Sequence, residues 1–207
     1  MPTMRASSDT VEIPADHANT RMCVRARVFR AAGDLFYHKG IRAVSVDLVA
    51  KEADTTKMTL YRYFPSKEIL VVEWLRHHSE EFSDYLQALS RQYPDDPRHR
   101  LQAFFDNAAK ASATPGDRGC PIANAAIELT EPHHPARSVI ESHKAELRAW
   151  LLRACQEMRA QAPEQLADGL FLLSEGAHVS SQTLGRSGPG QSIVAAAERL
   201  IGAHLAE

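Results

Sequence analysis

The sequence predicts an all-α fold, a three-helix helix-turn-helix head followed by a six-helix body, about nine helices in all. Three observations predict it. Apolar residues recur at helical spacing along the 207 residues, with no stretch that alternates in the manner of a strand. Breaks at Gly40, Tyr93-Pro-Asp-Asp-Pro97, Thr114-Pro-Gly-Asp117, Glu131-Pro-His-His-Pro135 and Gly185-Arg-Ser-Gly-Pro-Gly190 cut that pattern into helix-sized pieces. The segment from Ser45 to Phe64 reads as a short helix, a tight turn and a second short helix.

Residues 1–20 hold Ser, Thr, Asp and Pro without an apolar run and read as a flexible N-terminal arm. The first helix is expected from near Met22 to Lys39, with Val24, Val28, Ala31, Leu35 and Phe36 on one face and Gly40 as its C-cap. Residues 21–65 form the head on this reading, and residues 66–207 the body. The fourth helix opens after Pro65 and carries Ile69, Leu70, Val72, Trp74, Leu75, Phe82, Leu86 and Leu89 to about Arg91. A fifth follows through Leu101, Phe104, Phe105 and Ala109. Pro121 suits the first turn of the sixth, expected to about Thr130. The seventh is expected from Ala136 to about Ala160, the eighth from Pro163 to Leu184, and a last one after Gly190 to about Ala206.

The segment 45–64 carries the chemistry. Val46, Val49, Ala50 and Ala53 form one apolar stripe, and Leu60 and Phe64, four apart, anchor the second helix to the same small core. That leaves Thr55, Thr56, Lys57, Thr59, Tyr61 and Arg62 facing outward. These are hydrogen-bonding, cationic and aromatic groups, the kind a helix needs to lie in a DNA groove. A plain helical hairpin would gain nothing from exposing them. The turn falls at Asp54, a residue type that visits left-handed backbone more readily than most apart from glycine. Thr55 or Thr56 then caps the second helix.

Residues 28–70 resemble the N-terminal domain of the TetR/AcrR family of bacterial repressors. The resemblance rests on Phe36, Lys39-Gly40, the helix start at Ser45-Val46, Thr59-Leu60-Tyr61 and Phe64-Pro-Ser-Lys67. Two positions depart from the family's commonest pattern, Asp54 where glycine is usual and Met58 where a small residue is usual. The resemblance implies that the helix from Lys57 to Phe64 enters the major groove. Thr56, Lys57, Met58 and Thr59 then reach bases, and Tyr61, Arg62 and Tyr63 reach phosphates or bases. Ser45 offers a hydroxyl and an N–H to a phosphate at a helix start, and Lys67 meets the backbone from the start of the next helix. Arg21, Arg25 and Arg27 are further candidates for phosphate or minor-groove contacts.

Charge distribution agrees with that reading. The net charge is −2, yet residues 21–76 hold eleven Lys and Arg against six Asp and Glu, and residues 77–207 hold twelve against seventeen. A basic head on an acidic body suits phosphate attraction at one end. Three cysteines, Cys23, Cys120 and Cys155, without CxxC spacing, argue against a disulfide framework. With no apolar run of about 20 residues and no secretion-type leader, a cytoplasmic protein with no membrane partner is expected.

One helix reads too few base pairs for a specific site, so a homodimer on a palindromic double-stranded operator is expected. Gly176, Ser180 and Leu184 on the eighth helix, and Ala197, Leu200 and Ile201 on the last, are the candidates for its interface. A small-molecule pocket is expected in the body. Asn124, Glu128, Glu175 and His178 are isolated polar groups on apolar helices, and Trp74, Phe104, Phe105, Trp150 and Phe171 would supply apolar wall. The resemblance thus implies a regulator released from DNA by an unknown small-molecule effector, most simply a repressor; an activator would bind DNA alike. No cofactor and no metal are expected. The competing readings are a thiol-responsive regulator using Cys120 at a helix start, a metal-responsive one using the histidines, and a cysteine hydrolase pairing Cys120 with His143.

Overall fold

A computed structural model of the chain describes residues 23–185 and 188–205. The N-terminal arm, Arg21, Met22 and the end of the last helix at Ala206 lie outside the described residues. Among those described there are nine α-helices, one short 3-10 turn and no strand. They are α1 (Val24–Lys39), α2 (Val46–Glu52), α3 (Lys57–Tyr63), α4 (Lys67–Gln92), α5 (Pro97–Ala113), α6 (Pro121–Glu128), α7 (Ala136–Glu157), α8 (Pro163–Leu184) and α9 (Ile193–Leu205), with the 3-10 turn Pro189–Ser192 leading into α9.

Local chemistry sets the helix starts. Ser45 Oγ accepts from Leu48 N at 3.2 Å, Thr56 Oγ1 from Thr59 N at 3.1 Å and Ser66 Oγ from Ile69 N at 3.2 Å, each satisfying a donor that its helix leaves unpaired. Asp96 does the same for α5. Gly40, at φ 88°, ends α1 with its N–H on Phe36 O at 3.1 Å. The seventh helix stops at Glu157, about one turn short of the expected Ala160. Arg159 and Ala162 both take left-handed backbone there, and Gln161 N bonds to His204 O at 2.8 Å, so the chain turns early to meet α9.

Two apolar clusters hold the molecule. The first gathers Val28, Leu35 and Phe36 of α1, Val49 and Ala50 of α2, and Leu60 and Phe64 at α3 and its C-terminal end. It extends into Leu70, Val71, Trp74 and Leu75 of α4 and into Ile122, Ala125 and Ile140 of α6 and α7. The head is therefore packed against the first turns of the body. Phe36 and Trp74 meet edge to face at 5.6 Å across that seam. The second cluster joins α4, α5, α7, α8 and α9 through Leu86, Leu101, Phe105, Trp150, Leu151, Leu166, Leu170 and Ile201.

The turn between α2 and α3 is built as its residues require. Asp54 sits at φ 48°, left-handed backbone that a Cβ penalises. Replacing Asp54 with Gly removes that penalty, about 1 kcal/mol for a residue that tolerates the region. It returns part of the gain as unfolded-chain entropy. The expected result is a small rise in melting temperature; a clear fall would show that the Asp54 side chain itself holds the turn.

Candidate nucleic-acid interface and body cavity

On α3 the buried and exposed faces separate cleanly. Leu60 is buried within the helix and Phe64 closes it from beneath, both fully covered. Thr56, Lys57, Arg62, Tyr61 and Tyr63 are exposed, and Met58 leaves 78% of its surface in solvent. Thr59 is half-buried, its hydroxyl accepting from Thr56 Oγ1 at 3.0 Å. Ser45, at the start of α2, is exposed and keeps its hydroxyl proton while its oxygen caps the helix. Lys57 Nζ lies 3.1 Å from Asp47 on α2, and that hydrogen bond raises the lysine's pKa. Lys67 is half-buried, and desolvation lowers its ammonium below the usual range.

Two arginines that are candidates for phosphate contacts already have partners within the chain. Arg27 donates from Nε to Ala53 O at 3.2 Å and from Nη2 to Asp54 O at 2.9 Å, clamping the carbonyls of the turn from α1. Arg25 pairs with Glu73 on α4 and lies 4.8 Å over the Phe64 ring. Neither role has a sequence signal, because the partners lie 26 to 48 residues downstream.

The body holds a partly open cavity of about 350 Å³ between α4, α5, α6, α7 and α8. Of the residues expected there, Phe104, Glu175 and His178 line it. The other six lie elsewhere. Trp74 belongs to the head core and its adjoining groove. Phe105 and Phe171 pack in the second cluster, and Trp150 donates to Ser90 Oγ at 3.0 Å with its ring on Phe104. Asn124 is held by Arg118 O and Gln182. Glu128 accepts from Arg42 N at 2.9 Å and sits under Gly40, where a carboxylate anchors the loop after α1. Residues that the sequence did not single out complete the wall, notably Phe82, Tyr85, Asp117, Ile122, Lys144 and Leu147.

The polar groups of the wall are largely paired. Lys144 Nζ donates to Glu175 at 2.6 Å and stands 3.7 Å from Cys120 Sγ. Burial lowers the pKa of His78 and His178, and takes His143 from 6.5 to about 4. His143 meets Ser79 Oγ at 3.3 Å and the Phe82 ring at 4.7 Å, so its contacts are not those of a base serving Cys120. His77 and His78 both approach Glu81, at 3.4 and 3.5 Å. Among the described residues no three His, Cys, Asp or Glu side chains converge to hold a metal ion.

The depressed His143 pKa has a consequence for stability. As pH falls through 6.5 the unfolded chain takes up a proton that folded His143 refuses until about 4, so the folded state loses stability across that window. Melting temperature should fall from neutral pH toward 4.5, and His143→Gln should flatten the slope. A variant with an unchanged slope would remove His143 from the account.

The expected interface residues divide. Gly176 and Leu184 are exposed on α8 and Ser180 is half-buried beside them. Ala197 and Ile201 are taken up by the chain's own core, and Leu200 packs against Gly169. Leu200 keeps part of its surface in solvent, whereas Ala197 and Ile201 are covered within the chain. The exposed apolar face of α8 is completed instead by Leu172, 68% exposed, and Val179. No described helix is long and apolar enough to cross a membrane.

An all-α chain in which two short helices meet at a tight turn, the second solvated and pinned by Leu60 and Phe64, has the build of a helix-turn-helix. Family comparison gives the particular group. Residues 28–73 match the bacterial regulatory proteins of the tetR family, and residues 97–197 match the tetracyclin repressor-like C-terminal domain. The chain belongs to the TetR/AcrR family of transcriptional regulators. It is 27% identical over 176 residues to the HTH-type transcriptional regulator LmrA of Bacillus subtilis (strain 168), covering 80% of this chain and 89% of that protein. The regulator YxaF of the same organism is 27% identical over 117 residues, 56% of this chain and 61% of its own length. The crystal structure of SCO4454, a TetR-family regulator from Streptomyces coelicolor, superposes with a TM-score of 0.82 at 22% identity, covering 88% of this chain and 96% of that one.

Proposed function

We propose that the protein is a ligand-responsive repressor that binds a palindromic operator as a homodimer and leaves it when a small molecule enters the body. The observation that carries the DNA half is the α3 surface. Thr56, Lys57, Met58, Tyr61, Arg62 and Tyr63 stand in solvent around a helix whose apolar back is fully spent on the core. Bases would be read by Thr56, Lys57, Met58 and Thr59, and phosphates held by Ser45, Tyr61, Arg62, Tyr63 and Lys67.

The ligand half is supported by the cavity in the body, lined by Phe104, Glu175 and His178 among others. Dimerisation is supported by the unpartnered face of α8, Leu172, Gly176, Val179 and Leu184, which a second copy would cover. Sedimentation of the full chain carrying Leu172→Glu and Val179→Glu tests this. Monomers that also lose operator binding are expected; dimers that survive both charges would move the interface elsewhere.

A further inference from the structure

The solvent face of α3 carries one side chain that gains nothing from water. Met58 leaves 78% of its surface exposed, more than any other large apolar residue among those described. It belongs to neither apolar cluster, so the fold of the head does not draw on it. A single exposed apolar residue is ordinary on a protein surface. This one stands between Lys57 and Thr59, on a helix whose other exposed groups are the hydroxyl, ammonium, guanidinium and phenol of Thr56, Lys57, Arg62, Tyr61 and Tyr63.

The polar neighbours of Met58 are already engaged within the chain. Thr56 Oγ1 accepts from Thr59 N at 3.1 Å and donates to Thr59 Oγ1 at 3.0 Å. Lys57 Nζ donates to Asp47 Oδ2 on α2 at 3.1 Å. A base edge that engages Thr56 or Lys57 therefore exchanges one hydrogen bond for another, and the net gain is small. Met58 gives up only water. Any apolar group that covers it removes exposed area outright, a gain without an exchange.

The surroundings say which apolar group. Lys51 and Ser45 on the α2 side and Lys57 and Arg62 on α3 are exposed around Met58, a cationic and hydrogen-bonding frame that suits a phosphate backbone. Within the major groove of a duplex the base edges present hydrogen-bonding atoms, with one apolar exception, the 5-methyl of thymine. An unbranched thioether with three rotatable bonds adapts its reach to such a methyl, as a stiff β-branched side chain does not.

We propose that Met58 determines specificity for thymine, its side chain packed on the 5-methyl of one thymine in each half-site. This rests on the reading of α3 as the helix that enters the major groove, and it names the chemical feature of the operator that α3 selects.

Deoxyuridine in place of thymidine tests it, because base pairing is unchanged and only the methyl is removed. The probe is the duplex that the full-length protein enriches from a random library, with its thymines replaced one position at a time. At one thymine position, affinity should fall about threefold to fivefold for each half-site altered, the worth of one buried methyl. The ratio of thymine to uracil affinity should hold across a salt series, since an apolar contact releases no counterion. Met58→Ala, at an exposed position, should bind the thymine and uracil duplexes alike, and Met58→Leu should keep a thymine preference. A thymine preference that survives Met58→Ala belongs to the shape of the duplex and overturns the proposal. An enriched duplex that binds equally well with uracil at every position overturns it too, and leaves the DNA reading of α3 standing. Enrichment of no duplex overturns both.

Discussion

Replacing Lys57 and Tyr61 together with Ala should lower operator affinity by about 2 to 6 kcal/mol, a loss of thirtyfold or more, while the protein keeps its fold and its oligomeric state. Both side chains stand on the solvent face of α3, and neither contributes to the buried set formed by Leu60, Phe64 and the first helix. Removing them therefore leaves the core intact. Lys57 now spends its charge on Asp47 at 3.1 Å, an exposed pair that is worth little in water and that a phosphate or base can displace. The salt dependence of binding should flatten in the variant as a cationic contact is lost. Competition binding across a salt series, with sedimentation as the control for assembly, checks both statements. Variants that bind normally would place the DNA surface elsewhere in the head.

Replacing Phe64 with Ala should destabilise the protein by about 3 to 5 kcal/mol, the cost of emptying a large buried aromatic site. Phe64 has no exposed surface, stacks on Phe29 with ring centroids 6.4 Å apart, and lies under the Arg25 guanidinium. It is also the C-cap residue of α3, its N–H on Leu60 O at 2.9 Å, so that helix rests on it. Phe64→Leu keeps most of the volume and should cost less than about 1.5 kcal/mol. Urea unfolding of the two variants gives the comparison. A loss below about 1 kcal/mol for the alanine variant would mean that the head core closes over the gap, and α3 would not depend on this ring.

The head was legible in the sequence because its determinants are local. Ser45 and Thr56 announce helix starts three residues ahead of the donors they cap, Asp54 falls where left-handed backbone is required, and Leu60 and Phe64 declare the buried side of α3. The helix pattern of the body was legible for the same reason, down to Pro163 and Leu184 at the ends of α8. What could not be read was which polar or aromatic residue meets which partner across long separations. Trp74, Trp150 and Phe105 carry the composition of a ligand wall and serve packing, while Asp117, read only as part of a break, and Lys144 line the cavity. Glu128 looked like a pocket acid on an apolar helix and anchors the loop after α1, 86 residues earlier. Ala197, Leu200 and Ile201 form an apolar face that periodicity cannot assign to the chain's own core or to a partner; the packing of α9 against α5 and α8 covers Ala197 and Ile201 and leaves Leu200 half-buried.

The central claim is that α3 reads DNA as one of a symmetric pair. Selection of bound duplexes from a random double-stranded library by the full-length protein, followed by footprinting of the enriched sequence, tests it most directly. The predicted result is an inverted repeat with two protected major-groove half-sites about one helical turn apart. Enrichment of a single unpaired site, or no enrichment over random duplex, would contradict it.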